Sequence, residues 1–160
     1  MNYKKITNLF LITLTLFTLS CGFKVLDNTK ANNFSIVNLI TSGDKRINYK
    51  IKNQLAVYSK TDSQNQLIIY LDSKKLKSIK EKNIKNEITK YQINLTVNIR
   101  FYAENDAENI NNINLNIGGN YSVDLIHSKT ISNEKKLVES LIEKISDKIV
   151  NEIALRINDN

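Results

Sequence analysis

Between residues 91 and 102 apolar and polar side chains alternate without a break. Tyr91, Ile93, Leu95, Val97, Ile99 and Phe101 hold one phase, and Gln92, Asn94, Thr96, Asn98, Arg100 and Tyr102 hold the other. A strand turns successive side chains to opposite faces. The pattern therefore predicts a long strand over Glu87–Tyr102 with one buried and one wet face. A wet face favours an antiparallel sheet. A second pattern has period four. Leu137, Leu141, Ile145, Ile149, Ile153 and Ile157 recur with Val138 and Ile142 beside them, while Lys136, Glu139, Glu143, Lys144, Asp147, Lys148 and Glu152 take the opposite side. That is an amphipathic helix of about six turns. Ser132 or Asn133 is its predicted cap, with Glu134 in the first turn.

The remaining elements follow from weaker signals. Phe34–Ile40 is rich in Phe, Ile and Val and reads as a strand. Thr41–Asp44 reads as a turn, with Asp44 placed to cap a helix. Ile47, Ile51, Leu55 and Tyr58 give that helix one apolar stripe. Ser59–Asn65 is a polar loop and Leu67–Leu71 a second strand. Residues 74–86 are basic, and periodicity leaves them open between a strand end, a hairpin loop and a short helix. Ala103–Asn112 reads as a loop. Ile113, Leu115 and Ile117 form a strand that Gly118-Gly119 bulges or ends and that Tyr121, Val123 and Leu125 resume. The expected fold is α+β: a single domain with a four-stranded, mostly antiparallel sheet packed on one face by two helices, in the order β-α-β-β-β-α.

The start of the chain has a different character. Met1–Lys5 is short and basic, and Ile6–Leu19 is uncharged and apolar. This is the layout of a secretory signal, and it is shorter than a membrane-spanning helix needs. Phe17-Thr18-Leu19-Ser20-Cys21 resembles a bacterial lipobox, with a small residue before the cysteine and Thr18 where Leu is usual. The expected plan is a signal peptide over 1–20, a lipidated tether over 21–32 and one domain over 33–158. Several fatty acyl chains on Cys21, palmitate among them, would give a stable membrane anchor. Gly22 follows the cysteine. In lipoproteins of this kind Asp at that place favours inner-membrane retention, so Gly22 implies the outer membrane.

The chain has 160 residues, one cysteine and a formal charge of +7. The single cysteine excludes an intrachain disulfide. Removing Lys4 and Lys5 from the 23 basic side chains leaves 21 against 16 acidic ones, a formal +5. Such a balance fits anionic partners or a soluble basic surface, and export argues against nucleic acid. Chemistry-bearing motifs are sparse. His127 is the one histidine, no G-x-S-x-G is present, and Gly118-Gly119 lacks a phosphate-loop continuation. Glu104, Asp106 and Glu108 lack the glycine and distal glutamate of an EF-hand. No catalytic residue, metal site or cofactor is expected, and the chain is not read as an enzyme. The basic run Lys74, Lys75, Lys77, Lys80, Lys82, Lys85 and Lys90 fits either a phosphate-binding patch completed by Arg100 or a charged strand end.

Several of these features together resemble the lipopolysaccharide-assembly lipoprotein family LptE. Cys21-Gly22-Phe23 is similar to the Cys-Gly-aromatic opening of that family. Phe34–Ile40 followed by a helix with Lys52-Asn53-Gln54-Leu55, the alternating Tyr91–Tyr102 segment, and Gly119-Asn120-Tyr121-Ser122-Val123 before a long helix are similar to its strand and helix order. Val25 stands where Pro is common, and Asp27 where an aromatic is frequent. The resemblance implies an LptE-like fold in an outer-membrane lipoprotein with no enzymatic activity. Its partners would be an LptD-like β-barrel, which it plugs and helps assemble, and lipopolysaccharide, which it helps deliver to the outer leaflet. Lys74, Lys75, Lys77, Lys80 and Arg100 are the candidate lipopolysaccharide contacts. A small accessory lipoprotein of another envelope complex, for barrel assembly or the cell wall, is the alternative. An envelope hydrolase is the reading from a different class.

Overall fold

The computed structural model describes residues 34–60 and 63–158. The expected signal peptide, the tether and Cys21 lie outside the described residues. The elements are β1 (Phe34–Gly43), α1 (Lys45–Tyr58), β2 (Asn65–Lys82), β3 (Ile88–Ala103), β4 (Asp106–Ser122) and α2 (His127–Asn158). One sheet holds all four strands in the order β1-β2-β3-β4. β1 runs parallel to β2, and the other two pairings are antiparallel. The α+β order read from the sequence is the observed one.

Local chemistry explains the joins. Gly43 has φ +83°, and a Cβ there would collide with the Ser73 carbonyl oxygen. Only glycine turns β1 so directly into α1. Asp44 then caps α1: its carboxylate accepts from the N–H groups of Arg46 and Ile47 at 3.0 and 3.1 Å. The β2–β3 hairpin closes on Asn83. Its side-chain oxygen accepts from the Lys85 and Glu87 N–H groups at 2.9 and 3.0 Å. Asn86, at φ 65°, supplies the left-handed residue that the turn needs.

The helices cover one face of the sheet. Leu67, Ile69 and Leu71 of β2, Ile93–Phe101 at odd positions of β3, and Ile113 of β4 are buried beneath them. They meet Ile47, Ile51 and Leu55 of α1 and Leu141, Ile145, Ile149 and Ile153 of α2, the two stripes read from the sequence. The helices are joined by a Lys50–Glu139 ion pair at 3.2 Å and by the Tyr58 hydroxyl on Asp147 at 3.1 Å. Burial pushes the Tyr58 phenol pKa up, and the Asp147 carboxylate adds to it.

Three boundaries differ from the sequence reading, where backbone pairing overrode a local signal, and one left open is decided. β1 continues through the expected turn to Gly43, held by pairing with β2 as far as Ser73. The basic segment, open between strand end, hairpin loop and short helix, takes the first two: 74–82 pairs with β3 as strand, and 83–87 turns. The loop expected at 103–112 shrinks to a turn at Glu104-Asn105. Asn, Glu and Ala on both faces hide the period, but Asn111 and Asn112 pair with Phe101 and Arg100. Gly118-Gly119 neither bulges nor ends β4, and Val123 and Leu125 lie beyond its end at Ser122.

The last helix also starts at His127, ahead of the expected cap. Asp124 and Thr130 tie off that start. The Asp124 N–H donates to the Thr130 hydroxyl at 2.8 Å, and the Asp124 carboxylate accepts from the Ile126 N–H at 2.9 Å. These polar bonds leave no apolar period to read. Glu134 consequently sits well inside the helix rather than in its first turn.

Candidate functional site

Among the described residues the second face of the sheet carries no helix. Alternation places Tyr70, Asp72 and Lys74 of β2 there. Beside them stand Asn94, Asn98, Arg100 and Tyr102 of β3, and Asn112, Asn114, Asn116 and Asn120 of β4. The face is mostly neutral amide, and Asn114 donates to Asn98 across the strands. A shallow depression of about 440 Å³ lies on it, lined by Ile40, Ser42, Tyr70, Asp72, Arg100 and Asn112 among others. Ser42 donates to the Asp72 carboxylate at 2.7 Å. The Arg100 guanidinium lies 5.8 Å from the Tyr70 ring centre and has no ion-pair partner among the described residues. Tyr70 and Tyr102 lie 6.3 Å apart, and a hydrogen bond with Tyr70 raises the Tyr102 phenol pKa.

The five candidate contacts divide between the two faces. Lys74 and Arg100 share the open face, but Lys74 pairs with Thr96 and Arg100 with Tyr70. Four strand positions separate them, roughly 13 Å. Lys75 and Lys77 point the other way, toward α2. Lys77 contacts Glu134 at 2.7 Å and Lys75 reaches it at 4.0 Å. Lys80 lies at a register shift between Ile79 and Glu81, near the hairpin.

The Lys77 site is a built cluster that the sequence reading missed. Its ammonium sits 4.3 Å from the Tyr91 ring centre and 5.3 Å from that of Tyr121, and the two rings stack at 5.6 Å. The Tyr121 hydroxyl donates to Glu134 at 2.7 Å. Burial lowers the Lys77 pKa, but its bonds to Glu134 and Tyr121 outweigh that and carry it upward. The Lys77 hydrogen bond holds the Glu134 carboxyl below its ordinary range. Burial pushes the Tyr121 phenol up. The available signal was phase. Lys75 and Lys77 continue the odd-numbered register of Leu67, Ile69 and Leu71, which a strand sends to the helix side.

No protein-family model and no curated protein matches the sequence. The fold has neighbours among solved structures. Rare lipoprotein B from Shewanella oneidensis superposes with a TM-score of 0.59 at 14% identity, over 76% of this chain and 97% of that one. Lipoprotein B from Nitrosomonas europaea gives a TM-score of 0.57 at 12% identity, covering 80% and 89%. A minor lipoprotein from Acinetobacter baumannii gives 0.52 at 14%, covering 74% and 91%. The fold is LptE-like.

Within this LptE-like fold the basic run acquires a position. β1 ends opposite Ser73, so from Lys74 onward β2 has no outer neighbour in the sheet among the described residues. The lysines stand where the strand becomes an edge. Among the described residues no group of three metal-binding side chains gathers. His127 is exposed at the start of α2, and Glu104, Asp106 and Glu108 lie exposed around the β3–β4 turn.

Proposed function

We propose that the chain is an outer-membrane lipoprotein, anchored through Cys21, that works with an LptD-like β-barrel. It plugs the barrel, supports its assembly and helps deliver lipopolysaccharide to the outer leaflet. The uncovered sheet face carries this reading. Neutral amides with a few charges suit the polar interior of a barrel, where a hydrophobic face would be stranded in water. The lipobox at Phe17–Cys21 and the LptE-like fold support the same placement. Lipopolysaccharide phosphates would fall to Lys74, Lys80 and Arg100, whose charges have no carboxylate partner among the described residues. Lys75 and Lys77 are already engaged by Glu134.

The test is recovery of the lipidated chain in gentle detergent. A large outer-membrane barrel is expected to co-purify in stoichiometric amount. Recovery with a periplasmic complex and no barrel would sink the proposal and favour an accessory lipoprotein.

A further inference from the structure

β2 outruns its outer neighbour. β1 pairs with it as far as Ser73 and then turns through Gly43 into α1, while β2 continues to Lys82. On that side the Asp44 N–H donates to the Ser73 carbonyl at 2.8 Å. This bond shows which way the ladder faces. In an antiparallel pair a strand sends the N–H and C=O of one residue to one side and those of the next to the other. Ser73 points outward, so Lys75, Lys77 and Ile79 point outward too, while Lys74, Leu76 and Ser78 bond to β3. The β3 pairing is unbroken from Leu67 to Ile79, so the outward row stays regular up to the first register shift. Among the described residues no strand pairs with that row beyond Ser73.

Proteins blunt such edges with proline, a bulge, a short strand or charge. The chain has no proline, and the row has no bulge before Ile79. Charge is the remaining device. Lys74 stands before the row and Lys80 and Lys82 after it, and none of the three makes an ion pair among the described residues. Lysine by itself would describe a guarded edge. Leu76 and Ile79, however, stand exposed between these charges, and alternation puts them on opposite faces of the strand. An incoming strand would find aliphatic surface both above and below its backbone.

The charges select the strand. A second copy brings the same lysines and is repelled, whereas a strand bearing carboxylates is attracted. We infer that residues 74–82 are a docking edge for an extended acidic segment of a partner protein, which joins the sheet as a strand beside β2. Its backbone bonds to Lys75, Lys77 and Ile79. Its carboxylates lie by Lys74 and Lys80, and its apolar side chains by Leu76 and Ile79. The open ladder supplies affinity and the side chains supply choice. This goes beyond the barrel reading and does not depend on it.

The probe is a synthetic peptide of alternating glutamate and valine, about eight residues long and capped at both ends. It is titrated into the full-length chain in nonionic detergent at low ionic strength. Amide exchange followed by NMR should slow at Lys75, Lys77 and Ile79. It should change little at Lys74, Leu76 and Ser78, which β3 already holds. The fully N-methylated form of the peptide keeps its charge and side chains but donates no backbone hydrogen bond. It should bind at least about tenfold more weakly, and a lysine–valine peptide should not bind. Lys75→Pro removes one outward N–H and spares the bonds to β3, so it should weaken the acidic peptide about tenfold. Lys74→Glu with Lys80→Glu should reverse the preference and admit the lysine–valine peptide instead.

Unchanged exchange at Lys75, Lys77 and Ile79 under excess acidic peptide would overturn the inference. So would equal binding of the N-methylated form, which would reduce the contact to charge attraction open to any polyanion. Should Lys75→Pro unfold the chain, the charge-reversed pair still decides. An undiminished preference for the acidic peptide there would overturn the edge assignment. None of these results bears on barrel co-purification.

Discussion

Glu134 holds three groups at once: Lys77, the Tyr121 hydroxyl and, at longer range, Lys75. This ties the outer half of β2 to α2. Both members of its main ion pair are partly exposed, so solvent screening limits the cluster to about 0.5–1 kcal/mol. The pH dependence has a definite sign. The Glu134 pKa is lower folded than unfolded. Its contribution is therefore complete above the unfolded value and is lost as pH falls through the folded one. Glu134→Gln should flatten that acid limb in urea midpoints taken against pH, and Lys77→Met should do the same. Two glycines make a second comparison. At Gly43 a Cβ meets backbone and φ is positive, so Gly43→Ala should cost about 1–3 kcal/mol. At Gly118 the nearest atom is the end of the Asn94 side chain, which can swing away. Gly118→Ala should cost under about 1 kcal/mol by the same denaturation.

At the scale of elements, the apolar stripe of α2 separates what was legible from what was not. Ile145 is wholly buried whereas Leu155 is exposed. Truncating Ile145 to Ala should cost about 2–5 kcal/mol in thermal or urea unfolding, and truncating Leu155 should be near neutral. The stripe was readable because every fourth position of a helix returns to one face. The alternation of β3 was readable for the same kind of reason. What escaped reading were stretches whose structure is set by a neighbour. β4 begins at Asp106 because β3 offers it hydrogen bonds, although Asn and Glu fill its first turns of pattern. The start of α2 rests on Asp124 and Thr130, which leave no hydrophobic period. For the candidate site, alternation assigns Arg100 to the wet face, whereas the sequence leaves 74–86 open between strand, loop and helix and so does not place Lys75 and Lys77. The aromatic cluster around Lys77 needed β4 and α2 in place, and Tyr121 and Glu134 are remote from it in sequence.

For the molecule as a whole, the two faces of the sheet do different work. Among the described residues one is filled by helices, and the other exposes amides and Arg100. If the open face contacts lipopolysaccharide, Lys74→Ala with Arg100→Ala should weaken binding of the purified chain about tenfold or more, as two lost charge-assisted bonds would. Lys75→Ala should change it little, and a titration against the glycolipid distinguishes the two. A last consequence comes from the unequal lengths of β1 and β2. Among the described residues half of β2 has no strand on its outer side, which leaves a ladder of N–H and C=O groups able to template another molecule's strand. Mutual repulsion between like-charged flanks keeps two such molecules apart at low ionic strength. Near 1 M salt, with fields confined to about 3 Å, sedimentation should find them pairing off.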